Sequence, residues 1–167
     1  MGPDAGYSHG MERQMSEVVG LYWEDWEIGR EWTTRGRTMT EAAIETCAGL
    51  SGDYNPLHTD EEFAKQTPFG TRVAHGPLTY LFAAGLLYQL HLYDDTLIAF
   101  LGFDKLHFTK PVKIGDTVRA HIRVTDRRET SKPDRGIVRR ALQVLNQRDE
   151  VVLEADQSLL IKRRPAP

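Results

Sequence analysis

The sequence holds one cysteine, Cys47, in 167 residues. That excludes an intramolecular disulfide and any cysteine-based zinc cluster, and it fits a reducing cytoplasm, where the protein is expected. It also lacks a strong excess of either charge: 21 Lys and Arg stand against 24 Asp and Glu, a formal net charge of −3. Without a basic footprint, nucleic acid drops out as a partner. Nor is there a long hydrophobic run. The longest apolar stretch, Leu78 to Leu92, is interrupted by Tyr80, Tyr88, Gln89 and His91 and is short for a bilayer, so no membrane partner is expected. The first residues carry no apolar segment of the kind found in export signals. Internal repeats and low-complexity tracts are missing as well.

What is present divides into a Gly- and Ser-rich start, a folded body and a short tail. Residues 1–20 have no hydrophobic period and read as a flexible extension; 21–163 form one domain; 164–167 are a tail. Trp23 and Trp26 pin an irregular lead-in segment through aromatic burial. Arg30 to Thr38 predicts a first strand with a bulge at Gly36. Thr40 is placed to N-cap a helix with Ala43, Ile44, Cys47 and Ala48 on one face. In that setting Cys47 is a small core residue rather than a nucleophile.

That helix delivers the chain to Ser51-Gly52-Asp53-Tyr54-Asn55-Pro56-Leu57-His58. Gly52 can adopt a positive φ, Asn55 can bond its own backbone and Pro56 fixes φ, so Asp53 and His58 leave the stretch in set directions. A capping box at Thr59 and Glu62 predicts a short helix through Phe63 to Lys65. Pro77 then sits where a proline starts a helix, and the helix beyond it is apolar nearly all round, as for one wrapped by other structure. The second half changes period. Val118, Ala120, Ile122 and Val124 alternate with Arg119, His121 and Arg123; Val151, Leu153, Ala155, Gln157, Leu159 and Ile161 alternate likewise. Val138 to Gln147 and Ile98 to Phe108 supply two further strands. A set of antiparallel strands with one apolar helix predicts an α+β domain, a sheet curled round that helix. Sheet edges left bare need partners, so a dimer is expected.

Asp53 and His58 have two readings. As an acid/base pair they would move protons to and from water; as structural groups, Asp53 caps the preceding helix and His58 is a satisfied imidazole. Asp53, His58 and His75 are also suitable metal ligands by type, at no recognised spacing. The Gly76 N–H opens the apolar helix at the positive end of its dipole, where it can hold an oxygen gaining negative charge. Alternatively Gly76 serves only a tight turn. His75 reads as a structural or rim histidine. Arg72, Lys110 and Lys113 are cations that could meet a phosphorylated ligand or simply be solvated.

The stretch from Ser51 to His58, with Ala64 following, resembles the signature of the MaoC-like, or hydratase 2, family of hot-dog-fold enoyl-CoA hydratases and dehydratases. Val73-Ala74-His75-Gly76 is similar to that family's approach to its central helix, and Phe108-Thr109-Lys110-Pro111-Val112-Lys113-Ile114-Gly115-Asp116-Thr117 to its later F-x-x-P-V-x-x-G-D-T stretch. One departure is Cys47-Ala48, where the family often has Phe or Tyr. The resemblance implies a single hot-dog fold, a hydro-lyase forming (R)-3-hydroxyacyl-CoA, and no metal or organic cofactor. It implies that Asp53 and His58 activate water, that Gly76 N–H is the oxyanion donor, and that Asn55 helps fix the loop; His75 is taken beside them as a supporting residue, and Arg72 and Tyr80 as candidate substrate-binding residues. The substrate would be an acyl-CoA or acyl-carrier thioester, and the assembly a homodimer, dimer of dimers or trimer of dimers. Two alternatives stand beside it: a hot-dog thioesterase and a non-catalytic acyl-CoA binding module.

Overall fold

Alternating burial organises the second half of the chain in the computed structural model, which describes residues 19–165. β3 (Leu97–Phe108), β4 (Thr117–Glu129), β5 (Arg135–Leu145) and β6 (Val151–Lys162) are long antiparallel strands. On β4, Val118, Ala120, Ile122 and Val124 are buried in strict alternation, as a half-covered strand requires. Two short pieces, β1 (Glu31–Thr33) and β2 (Arg37–Thr38), both pair with β4, and the sheet order is β1-β4-β5-β6-β3. The single strand expected over Arg30 to Thr38 is therefore split. Gly36 lies at the break, with Thr117 filling the space of a side chain: a Cβ there would stand 2.8 Å from its Cγ2.

The inner face of the sheet packs on α4 (Gly76–Tyr88), whose Leu78, Phe82, Ala83, Leu86 and Leu87 are buried. Each such Leu or Phe contributes about 2 kcal/mol through removal from water. This is the α+β, hot-dog arrangement: a curved antiparallel sheet round one apolar helix. The wrap is one-sided within a chain, however. Leu81 and Tyr88 on the far side of α4 remain more than half exposed.

Three smaller helices precede α4. α1 (Glu41–Ser51) begins at Thr40, whose side chain accepts from Ala43 N–H, and buries Ile44 and Ala48. α2 (Pro56–Thr59) is a single turn capped by Asn55, and α3 (Glu61–Lys65) is capped by Asp60. The expected Thr59–Glu62 capping box is not used. The Thr59 hydroxyl is spent on the carbonyls of Tyr54 and Asn55, and Asp60, one residue on, accepts from Phe63 N–H at 3.0 Å.

Residues 1–18 and 166–167 lie outside the described residues, and with them most of the expected extension and part of the tail. Val19, placed in that extension, exchanges hydrogen bonds with Asp95. Arg164, placed in the tail, pairs with Asp25. No helix among the described residues is long and apolar enough to cross a membrane.

Candidate active site

α1 stops because Gly52 enters the left-handed region, φ 76°, and its N–H closes on Ala48 C=O. The cap of α1 is thus Gly52, which leaves Asp53 free for other use. A relay of short-range bonds then shapes the loop. Ser51 Oγ accepts from Asp53 N–H, Asp53 Oδ1 from Asn55 N–H at 3.2 Å, and Asn55 Oδ1 from Leu57 N–H at 3.0 Å. With Pro56 as its first residue, α2 carries His58 to the carbonyl of Val73, 2.8 Å from Nδ1. A carbonyl only accepts, so Nδ1 holds the proton, and in the neutral ring Nε2 holds the lone pair.

The other wall is the segment from Val73 to Gly76. Val73 bridges to Lys113, and Ala74 N–H donates to Val112 C=O at 2.8 Å. The stretch from Phe108 to Thr117 therefore braces the approach to α4. Its own turn is tied by Asp116, which accepts from Lys113 N–H at 2.8 Å. His75 is buried, 3% exposed, and its Nε2–H donates to the backbone carbonyl of Asp53 at 3.0 Å. Its ring lies against that of His58, centroids 3.8 Å apart. This bond locks the two walls together. Gly76, next in the chain, opens α4 and so has no acceptor for its N–H within the helix.

His58 and Gly76 line one cleft of about 350 Å³ with Phe69, Thr79, Phe108 and Val152 among its other walls. A carboxylate oxygen of Asp53 and ring nitrogens of His58 and His75 all lie within 4.8 Å of one another. The carboxylate is exposed, the His58 ring half-buried. Within one chain, then, an imidazole with an available nitrogen and a helix-opening N–H line one apolar cleft, and the Asp53 carboxylate lies beside that imidazole without lining the cleft. One ring nitrogen of each histidine is already bound to a carbonyl, so the trio offers a cation only the other two nitrogens and the carboxylate.

A family model described as MaoC-like domain matches residues 25–144. The chain belongs to the MaoC-like dehydratase family. It is 32% identical over 154 residues to a 3-hydroxybutyryl-CoA dehydratase of Methylorubrum extorquens, covering 90% of each chain. It is 38% identical over 113 residues to an (R)-specific enoyl-CoA hydratase of Rhodospirillum rubrum, covering 65% of this chain and 73% of that one. Protein MaoC of Klebsiella aerogenes is 40% identical over 114 residues, 68% of this chain but only 33% of the longer protein. Among solved structures, a MaoC-like dehydratase from Rhodospirillum rubrum superposes with a TM-score of 0.80 at 32% identity, over 88% of this chain and all of that one. A Mycobacterium tuberculosis protein described as a double hotdog fold shares the fold at 22% identity and a TM-score of 0.76.

Of the other candidates in this MaoC-like domain, Arg72, Tyr80 and Lys113 do not line the cleft. Arg72 is held by Glu41 and Glu61 and does not line it. Tyr80 sits further along α4 against Phe103, ring centroids 4.9 Å apart, with its hydroxyl accepting from Gln157. Lys110 does border the cleft but pairs with Glu150, and Lys113 donates to Phe69 C=O. Burial, with the Asp53 charge second, pushes the Cys47 thiol up, away from thiolate chemistry. Two contributors escaped the sequence reading. The Val73 carbonyl orients His58, and no side-chain pattern signals a backbone acceptor. Phe108 packs on Gly76; its place in the F-x-x-P stretch was legible, its contact was not.

Proposed function

We propose that this MaoC-like domain is a hydro-lyase that adds water to, or removes it from, the 2,3 double bond of an enoyl-CoA thioester, in the (R) series. The observation that carries this reading is the His58 Nδ1–H bond to Val73 C=O. It leaves Nε2 as the proton-accepting nitrogen of a ring that shares a cleft with the Gly76 N–H. In the proposed step Asp53 and His58 hold one water between them. Its oxygen bonds to C3, the pair takes one proton from it, and the C2–C3 π electrons move toward the thioester oxygen. Gly76 N–H holds that oxygen as its charge grows. A proton returned to C2 completes the addition, and the sum is one water added. Asn55 and His75 position the pair, and no metal or organic cofactor is invoked.

Support comes from the relatives as well, since two are named for hydration of enoyl-CoA or dehydration of 3-hydroxybutyryl-CoA. A thioesterase would polarise the same thioester but has no use for a water poised at C3. The full reading places the protein in the cytoplasm as a homodimer or a multiple of one. β3 is an edge strand carrying the exposed side chains of Ile98, Phe100, Leu101 and Leu106, and the outer side of α4 adds Leu81 and Tyr88.

The test is loss of enoyl-thioester absorbance with crotonyl-CoA and longer enoyl-CoAs, with free thiol measured in parallel. Asp53→Asn is expected to lose roughly 10²- to 10⁴-fold in kcat. No turnover of any member, or thiol release in place of hydration, would overturn the proposal.

A further inference from the structure

Arg140 is a buried cation in the core, its guanidinium carbon 5.5 Å from the centroid of the Tyr93 ring. It is 3% exposed, on the helix-facing side of β5, and forms no salt bridge with any described residue. Its Nε–H donates to Gln157 Oε1 at 2.8 Å, while Nη1 reaches no acceptor among the described residues. A guanidinium does not shed its proton, and a buried charge with unsatisfied donors is costly unless an anion meets it. The described chain brings no carboxylate to it, so the anion is sought outside.

The register of the sheet shows how one would arrive. Phe103 pairs with Gln157, and Gln157 with Arg140, so the three form a row running inward from the edge strand on one face. On that same face of β3, Phe108 and Leu106 pair with the buried Leu153 and Ala155, yet remain 50% and 37% exposed. An apolar row therefore runs along one face of the sheet from Phe108, which borders the Gly76 cleft, past Leu106 to Phe103 and the buried Gln157 and Arg140. Tyr80 roofs its far end. It lies four residues after Gly76, on the same side of α4 and about 6 Å along the axis. Its ring meets Phe103 and its hydroxyl accepts from Gln157 Nε2 at 3.2 Å.

We propose that the acyl chain lies along this row and that the preferred substrates are short enoyl thioesters ending in a carboxylate, which Arg140 receives with Tyr80 and Gln157 beside it. This rests on the thioester reading of the Gly76 cleft. An aliphatic tail of the same length would leave Arg140 Nη1 without an acceptor, whereas a carboxylate supplies one. Discrimination against the aliphatic analogue follows from that difference.

Binding and turnover test this separately. Glutaryl-CoA and hexanoyl-CoA are saturated and cannot be hydrated; calorimetry with the full chain is expected to favour glutaryl-CoA by about 100-fold, as for a charge-assisted bond made in place of an unpaired buried charge. Arg140→Met should bring the two within about threefold, and Arg140→Lys should keep a preference of about tenfold. Tyr80→Phe, a milder change that keeps the ring packing, should lower the preference several-fold and covers the case in which Arg140→Met does not fold. Equal affinities in the parent protein, or a preference untouched by Arg140→Met, would overturn the proposal. So would a parent with no preference whose Arg140→Met variant falls from dimer to monomer in sedimentation, since the anion would then be a second copy's. Rates with trans-glutaconyl-CoA and trans-2-hexenoyl-CoA complete the test. If neither reacts while glutaryl-CoA still binds preferentially, the hydratase reading fails and the carboxylate receptor stands.

Discussion

Gly76 has no side chain, and the Phe108 ring takes the space one would need: a Cβ would lie 3.0 Å from two of its ring carbons. Gly76→Ala must therefore push the ring or tilt the first turn of α4, and with it the N–H that the proposed mechanism uses. Steady-state kinetics should show kcat reduced by about 10²-fold with KM within a few-fold, since loss of one oxyanion donor costs 10²–10³. Adding Phe108→Leu should recover part of kcat by giving the methyl room. An unchanged kcat in Gly76→Ala would remove Gly76 from the mechanism. At this scale the sequence supplied the candidates. Asp53, His58 and Gly76 stand out because turn formers and a helix start surround them. Their orientation was not legible, because the groups that set it are backbone carbonyls, Val73 for His58 and Asp53 for His75, brought up by the fold.

Short elements here depend on their caps more than on their length. α1 starts with Thr40 Oγ1 accepting from Ala43 N–H at 3.2 Å. Thr40→Ala should destabilise the fold by about 1 kcal/mol, read as a lower urea midpoint at unchanged slope. At the β5–β6 turn, Asn146, then Lys110 and Arg148, hold the Glu150 carboxyl down from 4.5 to about 2. Its folded value is below its unfolded one, so the stabilisation is complete above the unfolded pKa and is lost as pH falls toward 2. Glu150→Gln should accordingly lower the urea midpoint at pH 6, with the gap to the parent closing through pH 4 and gone near pH 2. A constant gap across that range would contradict the assignment. Most strands were legible from two-residue alternation. The single turn of α2 was not, because four residues carry no helical period and its cap, Asn55, reads equally well as a turn residue.

For the whole molecule the open question is what covers β3 and the outer side of α4. A lone sheet with a 12-residue edge strand and exposed Phe100 and Leu101 has strong reason to pair. Sedimentation should give a dimer or a multiple of it, and Leu101→Glu should shift the protein toward monomer without loss of secondary structure. A monomeric parent at micromolar concentration would contradict this.

The sequence by itself determined the architecture and the chemical inventory. Alternation, a helix apolar on nearly every side and the three spaced motifs each depend on local residue order, and local order is what a sequence displays. Only the tertiary structure decided which groups meet. His75 reaches Asp53 across 22 residues, and Gln157 joins Arg140 to Tyr80 across three separate elements. Arg72, a cation free to bind ligand on paper, is engaged by Glu41 and Glu61 in space. Those pairings are set by sheet register and by the seating of α4 on the sheet, and no single stretch of chain encodes either.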